Sequence, residues 1–363
     1  MPTDETERRG APSSTENVFV VVTPLQLLNA LEAKAVHATE RNLLVFLNSR
    51  PYASQLAALL DPADWDRVVR LQDPRGGDVR ASRWVRYLEL MRVRRRLDAL
   101  VRRIGRVDGV FLGNFSDIAA RHLAATLPHT TLHLLDDGMA TVAYANSRAE
   151  THGERRPHRR LRRTWRDRLM GFKRHEPMSV TFFTTFDLDV GRHDLVISNT
   201  YDHLRASLPP ITIASETWFL GQPLVEDDLM NEATYVRYID AIRRDCGGGA
   251  FVYSPHARES RDRIARMRER LGVEVRESRL PIEAELSRSG GLPRVLASFC
   301  SSALDTCRII FRDETMLIRS YELAAEDLAE GHQAVYLPMY EFLRSRQSDT
   351  FRVVALGREE LVA

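Results

Sequence analysis

The residues of this sequence that could do chemistry stand where apolar runs end. Asp136 and Asp137 end the run "TLHLL", His256 follows "AFVYSP", and Ser301 and Ser302 follow "RVLASFC". Together they supply two carboxylates, an imidazole and a pair of hydroxyls. A serine that begins a helix can bind phosphate, because free backbone amides and the helix dipole favour an anion there. The set is therefore suited to transferring a group from an anionic donor.

Each motif alone also has a purely structural explanation. Asp-Gly is a common turn pair, so Asp136, Asp137 and Gly138 could form a strand-ending turn with solvated acids. Pro255 and His256 could simply open a helix. The serines could serve only as an N-cap that satisfies free backbone amides. Chemistry is favoured by the order of the three motifs along the chain and by their shared position at strand ends.

Short apolar runs alternate with helical periodicity in two series, one starting at "VFVVV" and the other at "GAFVY". This alternation is typical of βα units and a parallel sheet. We therefore predict an α/β protein with two Rossmann-like domains that face each other across a cleft. Ligands of such sheets bind outside the carboxyl ends of the strands, so polar residues there should converge on the cleft. Besides the three motifs, we place Thr23, Pro24, Gln26 and Asn114 there.

The predicted organisation has four parts, with a junction near Pro209-Pro210 inside the poorly patterned region 178–224. The parts are a disordered leader, 1–16; a first domain, 17–210; a second domain, 211–340; and a C-terminal segment, 341–363, expected to return to the first domain.

The composition excludes several classes of protein. A chain of 363 residues is long enough for two domains, and an apolar fraction of 44% is ordinary for a globular protein. No apolar stretch approaches the roughly 18 residues of a membrane span, and the polar N-terminus lacks the apolar core of a signal peptide. The three cysteines fit neither a disulfide framework nor a zinc site. We therefore expect a cytoplasmic protein.

The segment 154–174 is strongly basic. It holds nine arginines and one lysine against two acids, a net charge of +8 in a chain whose total is +2. A solvated basic loop or helix is the usual explanation of such a run. The alternative is contact with anionic lipid headgroups or an anionic polymer, with Trp165 and its apolar neighbours, Met170 and Phe172 among them, in the interface. No recognisable nucleic-acid-binding module surrounds the segment, so we expect no nucleic-acid partner.

In this order, the motifs resemble those of bacterial sialyltransferases that build sialylated lipooligosaccharide and polysialic acid capsules. That family has an acidic (D/E)-(D/E)-G motif, a His-Pro motif and a Ser/Thr-rich motif, which here read Asp136-Asp137-Gly138, His256-Ala257 and Ser301-Ser302. The stretches "VVTPLQLLNALEA", "FLGQPL", "YSPHARE" and "LPIEAEL" match family segments as well. The resemblance extends over roughly 18–340, and it implies the GT-B fold.

The resemblance also implies an inverting sialyltransferase that uses CMP-sialic acid as donor and requires no metal ion. It assigns the general base for the acceptor hydroxyl to Asp137, with Asp136 as the alternative and as the neighbour that raises the pKa of the base. His256 would donate a hydrogen bond or a proton to the phosphate of departing CMP.

The same resemblance gives Ser301 and Ser302 the task of binding that phosphate, and Glu283 the task of accepting hydrogen bonds from the ribose hydroxyls. The acceptor is then a cell-surface glycan, lipid-linked or polyanionic, and the second domain binds the nucleotide sugar. The acceptor side of the cleft would be formed by Thr23, Pro24, Gln26 and Asn114. The basic segment would hold the enzyme at the inner face of the membrane or follow a polyanionic chain.

One residue departs from the family pattern, since Ala257 stands where the family usually has proline. The departure bears on the identity of the donor more than on the fold. Two alternatives therefore stay open: a glycosyltransferase with another donor, such as CMP-Kdo, another nonulosonate or a UDP-hexose, and a catalytically silent glycan-binding protein of the same fold.

Overall fold

The structure is a computed structural model that describes residues 15–48, 52–72, 83–115, 117–151, 170–173, 177–247, 249–330 and 333–362. Most of the basic segment 154–174 and the leader therefore lie outside the described residues. Two parallel sheets, each covered by helices, form the body of the protein. No helix of the described part is both long and apolar enough to cross a membrane.

The first sheet has seven parallel strands in the order β3-β2-β1-β4-β5-β6-β7. Its strands are β1 (Glu16–Val21), β2 (Arg41–Asn48), β3 (Arg67–Gln72), β4 (Val107–Leu112), β5 (His129–Leu135), β6 (Thr181–Thr184) and β7 (Leu195–Ser198). Its helices are α1 (Pro24–Val36), α2 (Ala53–Leu59), α3 (Arg83–Ile104), α4 (Ile118–Thr126) and α5 (Met139–Thr151). The inner strands are continuous apolar runs because helices cover both faces of the sheet, and each face has its own buried core.

The second sheet has six parallel strands in the order β11-β10-β9-β13-β14-β15. Its strands are β9 (Thr217–Leu220), β10 (Phe251–Ser254), β11 (Glu274–Val275), β13 (Val295–Ser298), β14 (Leu317–Glu322) and β15 (Phe351–Ala355), and β8 (Thr212–Ile213) pairs separately with β12 (Gly291–Leu292). The helices are α6 (Asp202–Ala206), α7 (Glu232–Asp245), α8 (Arg261–Leu271), α9 (Ile282–Ser289), α10 (Ser302–Ile310), α11 (Gln333–Ser345) and α12 (Arg358–Val362). If the strands of each sheet are numbered from 1 in chain order, both sheets contain the strand order 3-2-1-4-5-6, which is that of the Rossmann fold.

The C-terminal segment 341–363 contacts both domains, so the predicted return to the first domain holds for part of it. Strand β15 pairs in parallel with β14 and extends the second sheet. The end of α11 lies in the same segment, and there the Phe342 ring lies 5.1 Å from the ring of Phe186 in the first domain. The strand stays with the second domain because β14 offers it a parallel edge.

The two domains touch along one side of the cleft. Gln55 of α2 donates a hydrogen bond to the Leu280 carbonyl over 3.4 Å, and Ala284 of α9 is buried in a core cluster of the first domain. Helix α6 touches both domains: it packs against α1 of the first, and its Arg205 donates to the Ile310 carbonyl at the end of α10. These contacts fix the carboxyl ends of both sheets opposite each other.

Candidate active site

A cavity of about 270 Å³ lies between the carboxyl ends of the two sheets. Both domains contribute to its walls, so strand ends more than a hundred residues apart in sequence meet in one place. The predicted site residues that line it are Thr23, Pro24, Asp137, His256, Glu283, Ser301 and Ser302. Gln26 and Asn114 do not line this cavity, but both contact Asp137.

Asp137, just beyond β5, is held by two side-chain amides. Gln26 Nε2 donates to Oδ1 over 2.8 Å, and Asn114 Nδ2 donates to Oδ2 over 2.8 Å. The pKa of Asp137 is raised to about 7, chiefly by burial and to a smaller extent by the charge of Asp136, while the hydrogen bonds from the two amides act in the opposite direction. The carboxyl group is thus poised to exchange a proton near neutral pH. From the sequence we predict that repulsion by Asp136 raises the pKa of Asp137, but in the structure burial is the larger cause.

The four residues "TPLQ" explain why Gln26 reaches Asp137. Thr23 is the N-cap of α1, and its hydroxyl accepts a hydrogen bond from the Gln26 backbone amide over 3.3 Å. Gln26 Oε1 in turn accepts from the backbone amide of Thr23, which completes a capping box. The oxygen of the Gln26 amide is therefore engaged by the helix start, and its nitrogen is left to hold Asp137. Gln26 is a positioning residue rather than the acceptor contact predicted from the sequence.

Asp136 is not a candidate base, which corrects its place among the predicted catalytic residues. Its side chain is 4% exposed and does not line the cavity. Oδ2 accepts hydrogen bonds from the Thr184 hydroxyl over 2.9 Å and from the hydroxyl and backbone amide of Thr185, while Oδ1 accepts from the Gly138 amide over 2.9 Å. The residue joins the ends of β5 and β6, and burial raises its pKa.

We expect Asp136→Ala to destabilise the protein by about 3 kcal/mol, because four donor groups of Thr184, Thr185 and Gly138 lose their acceptor. Urea unfolding followed by circular dichroism measures this loss. Asp137→Asn is the matched control and should unfold much closer to the wild type, because the asparagine oxygen still accepts from Gln26 Nε2. If Asp136→Ala unfolds like the wild type but has lost its activity, the structural role given to Asp136 is wrong.

His256 follows β10 in a loop that hydrogen bonds with Glu259 and Arg258 hold in place. Its backbone amide donates to Glu259 Oε1 over 2.6 Å, and its Nδ1 accepts from the Arg258 backbone amide over 3.2 Å. Burial, followed by the charge of Arg258, lowers the pKa of His256 to about 4. The neutral ring therefore carries its proton on Nε2, which makes no hydrogen bond to any other described residue. His256 is thus arranged to donate from Nε2 to a ligand in the cavity.

Glu259 anchors this loop. It is the last residue of the motif "YSPHARE", but the sequence alone does not indicate this role. Its Oε2 accepts hydrogen bonds from the Tyr253 hydroxyl and from Arg263 Nη2, each over 2.6 Å. Gly221 lies against the same group, and a Cβ atom there would come within 2.2 Å of Glu259 Oε1. Glu259 is 7% exposed, so the histidine stands on a rigid base.

Ser301 is the N-cap of α10, and its hydroxyl accepts from the Ala303 amide over 3.3 Å. Ser302 begins the helix and faces the acidic motif of the other domain. Gly138 has a φ angle of +65°, and a Cβ atom on it would lie 2.9 Å from both side-chain atoms of Ser302. The acidic and serine motifs therefore contact each other across the cleft, and a glycine is needed for both its conformation and its small size.

Glu283, near the start of α9, is a carboxylate that is 5% exposed and lines the cavity. Among the described residues, no other residue donates a hydrogen bond to its carboxylate. Burial raises its pKa to about 6. A buried carboxylate with unused acceptor positions is costly to the folded protein, so it indicates a ligand that supplies donors.

Tyr52 is a cavity residue that sequence analysis missed. It precedes α2, and its ring lies 6.5 Å from the His256 ring at 86°. Burial raises the pKa of its hydroxyl. No pattern in "SRPYASQ" indicates this position, because only the packing of the two domains brings Tyr52 to the cavity.

The described residues contain no group of three or more His, Cys, Asp or Glu side chains placed to hold a metal ion. Of the basic segment, only 170–173 is described. Met170 and Phe172 are 1% and 3% exposed, so these two residues pack in the protein and not in a membrane interface, as the alternative explanation of the segment would require. The Lys173 amide donates to His122 Nδ1 over 2.9 Å, which attaches this end of the segment to α4.

No protein-family model matches the sequence, and no curated protein matches it. Solved structures with a similar fold include S. aureus MnaA with UDP, at 9% identity over 96% of this chain and 86% of MnaA, with a TM-score of 0.52. A Listeria monocytogenes protein described as a UDP-N-acetylglucosamine 2-epimerase has 9% identity over 89% of this chain and 82% of its own, with a TM-score of 0.50. E. coli heptosyltransferase WaaC with ADP-2-deoxy-2-fluoro heptose has 15% identity, covers 92% of this chain and 100% of its own, and has a TM-score of 0.43.

At these identities the likeness concerns the fold. It agrees with the two parallel sheets and the cleft between them, so the predicted GT-B fold is confirmed.

Proposed function

We propose that the protein is an inverting glycosyltransferase that moves sialic acid, or a related nonulosonate, from a CMP-activated donor to a hydroxyl of a cell-surface glycan. The observation that carries the proposal is the shared cavity. Asp137 lines it from the first domain, while His256 and the serine-capped start of α10 line it from the second. A base and an anion site thus lie on the two sides of one reaction space. The motif resemblance supports sialic acid as the transferred sugar.

In this proposal the acceptor hydroxyl gives its proton to Asp137 as its oxygen attacks the anomeric carbon. The bond between that carbon and the CMP phosphate oxygen breaks, and the electron pair leaves with CMP. His256 Nε2 donates a hydrogen bond to the departing phosphate, and the start of α10 with Ser301 and Ser302 binds the same charge. Attack from the side opposite to the leaving group inverts the anomeric centre.

Glu283 has the position of a nucleotide-binding residue in this scheme. Two ribose hydroxyls would supply the donors that the folded protein does not give it. The pKa of Glu283 is raised to about 6 but stays below 7. The carboxylate is therefore mostly ionised at pH 7 and can accept both hydrogen bonds. The donor nucleotide would then lie along the second domain, with its sugar directed at Asp137.

Nucleotide identity is the first test. CMP should raise the melting temperature of the protein, because a ligand that binds only the folded state stabilises it. The variant with Ser301 and Ser302 both changed to Ala should show a smaller rise at the same CMP concentration, since the backbone amides of α10 remain. UMP should have little effect. Stabilisation by UMP or UDP without any by CMP would contradict the CMP donor and favour a UDP-sugar enzyme.

Metal dependence is the second test. We expect activity to survive an excess of EDTA, because His256, the two serines and the helix amides meet the phosphate charge. Initial rates with and without the chelator measure this. Complete loss of activity, restored by Mg²⁺ or Mn²⁺, would contradict the proposed mechanism and recast Asp137 as a metal ligand.

A further inference from the structure

Helix α3 carries an exposed row of arginines on the first domain. Its residues advance by about 100° each around the helix axis, so positions 92, 95, 96, 102 and 103 fall within a sector of about 120°. Val93, Leu97 and Leu100 point the opposite way and are at most 5% exposed. The exposed side chains of the row are Arg92, Arg95, Arg96, Arg102 and Arg103, with Arg106 just after the helix.

These arginines have no acidic partners in the described part of the chain. The helix contains two acids, and one of them, Asp98, pairs with Arg94 outside the row over 2.8 Å. Six guanidinium groups side by side repel one another and contribute nothing to the fold through ion pairing. A row of this kind creates a local positive potential that attracts anions.

The row is an extended surface and not a pocket. From Arg92 to Arg103 the helix advances about 16 Å, and Leu88, one turn before Arg92, is 53% exposed on the same side. A polyanionic chain is typically held in a groove with cations along it, whereas a single outward helix face meets a flat charged surface. An apolar side chain at the end of the row adds the contact that a lipid interface provides.

We propose that the outward face of α3, formed by these six arginines and Leu88, docks the protein on an anionic lipid surface. The described end of the basic segment lies beside this helix, where a Cβ atom on Gly171 would be 3.4 Å from Arg94 Cζ. The proposal goes beyond the transfer reaction and does not depend on the identity of the donor. It places the first domain, which carries Asp137, against the membrane.

The test is sedimentation of the full chain with vesicles of phosphatidylcholine and phosphatidylglycerol in equal parts, with vesicles of phosphatidylcholine alone as the reference. The wild type should bind the anionic vesicles, and binding should weaken as salt is added. Changing Arg92, Arg96 and Arg103 together to Gln should weaken this binding by at least about tenfold. Unchanged circular dichroism would show that the variant folds.

A matched control removes the same charge elsewhere. Arg261, Arg268 and Arg270 are exposed on α8 of the second domain, where Asp262 and Glu269 intersperse them. Their triple change to Gln should leave vesicle binding within about twofold of the wild type, because they lie outside the docking face. If both variants lose vesicle binding equally, the binding depends only on the net charge of the protein, and the proposal is overturned. Wild-type binding in the α3 variant, or binding of soluble polysialic acid but not of vesicles, would also overturn it.

Discussion

Asp137→Asn should lower kcat by about 10²–10⁴-fold while the protein folds and binds CMP as before, since this is the usual contribution of a general base. Asparagine keeps the shape and can still accept a hydrogen bond from Gln26, but it cannot take the proton of the acceptor hydroxyl. Initial rates of transfer and CMP-induced thermal shifts measure the two effects separately. Near-normal turnover in this variant would remove Asp137 from the mechanism.

The pH dependence of kcat/KM tests the role of Asp137 independently. Burial raises the pKa of Asp137 to about 7, so the carboxyl is protonated below that pH and cannot act as a base. In the wild type, kcat/KM should fall about tenfold per pH unit below pH 7 and level off above it. The residual activity of Asp137→Asn should lack this limb. A limb that persists unchanged in the variant would belong to another group, such as Glu283.

His256→Ala should lower kcat by about 10²–10³-fold, the loss typical of removing one donor to a developing negative charge. The affinity for CMP should change much less, because the serines and the start of α10 still bind its phosphate. His256→Gln, which can place an N–H near the same position, should recover part of the loss. Single-turnover rates together with CMP titration separate these effects.

The two variants of His256 also test its protonation state. Burial and Arg258 hold its pKa near 4, so the ring is neutral in the free enzyme at pH 7 and donates from Nε2. If Ala and Gln at this position are equally inactive, proton transfer from the imidazole is needed and a hydrogen bond is not enough. If both weaken CMP binding without lowering kcat, His256 is a binding residue.

The βα organisation could be predicted from the sequence because parallel strands buried on both faces are continuous apolar runs. The meeting of the motifs could also be predicted, since strand ends of facing sheets share one cleft. Asp137, His256, Glu283, Ser301 and Ser302 all line the cavity.

The division of labour between Asp136 and Asp137 could not be predicted. Adjacent residues near a strand end point in different directions, and the sequence does not show which direction is the cavity. The donors that hold Asp136 come from Thr184 and Thr185, which belong to another strand end. The placement of Tyr52 and of β15 likewise depends on contacts between distant parts of the chain.

The most direct test of the central claim is the release of CMP from CMP-sialic acid in the presence of a glycan acceptor, with mass spectrometry of the acceptor. The wild type should release CMP and add one or more sialic acid units to the acceptor, and Asp137→Asn should do neither at a comparable rate. CMP-Kdo and UDP-sugars serve as competing donors in parallel reactions. Transfer from a UDP-sugar with none from any CMP-sugar, or no transfer from any donor, would contradict the account.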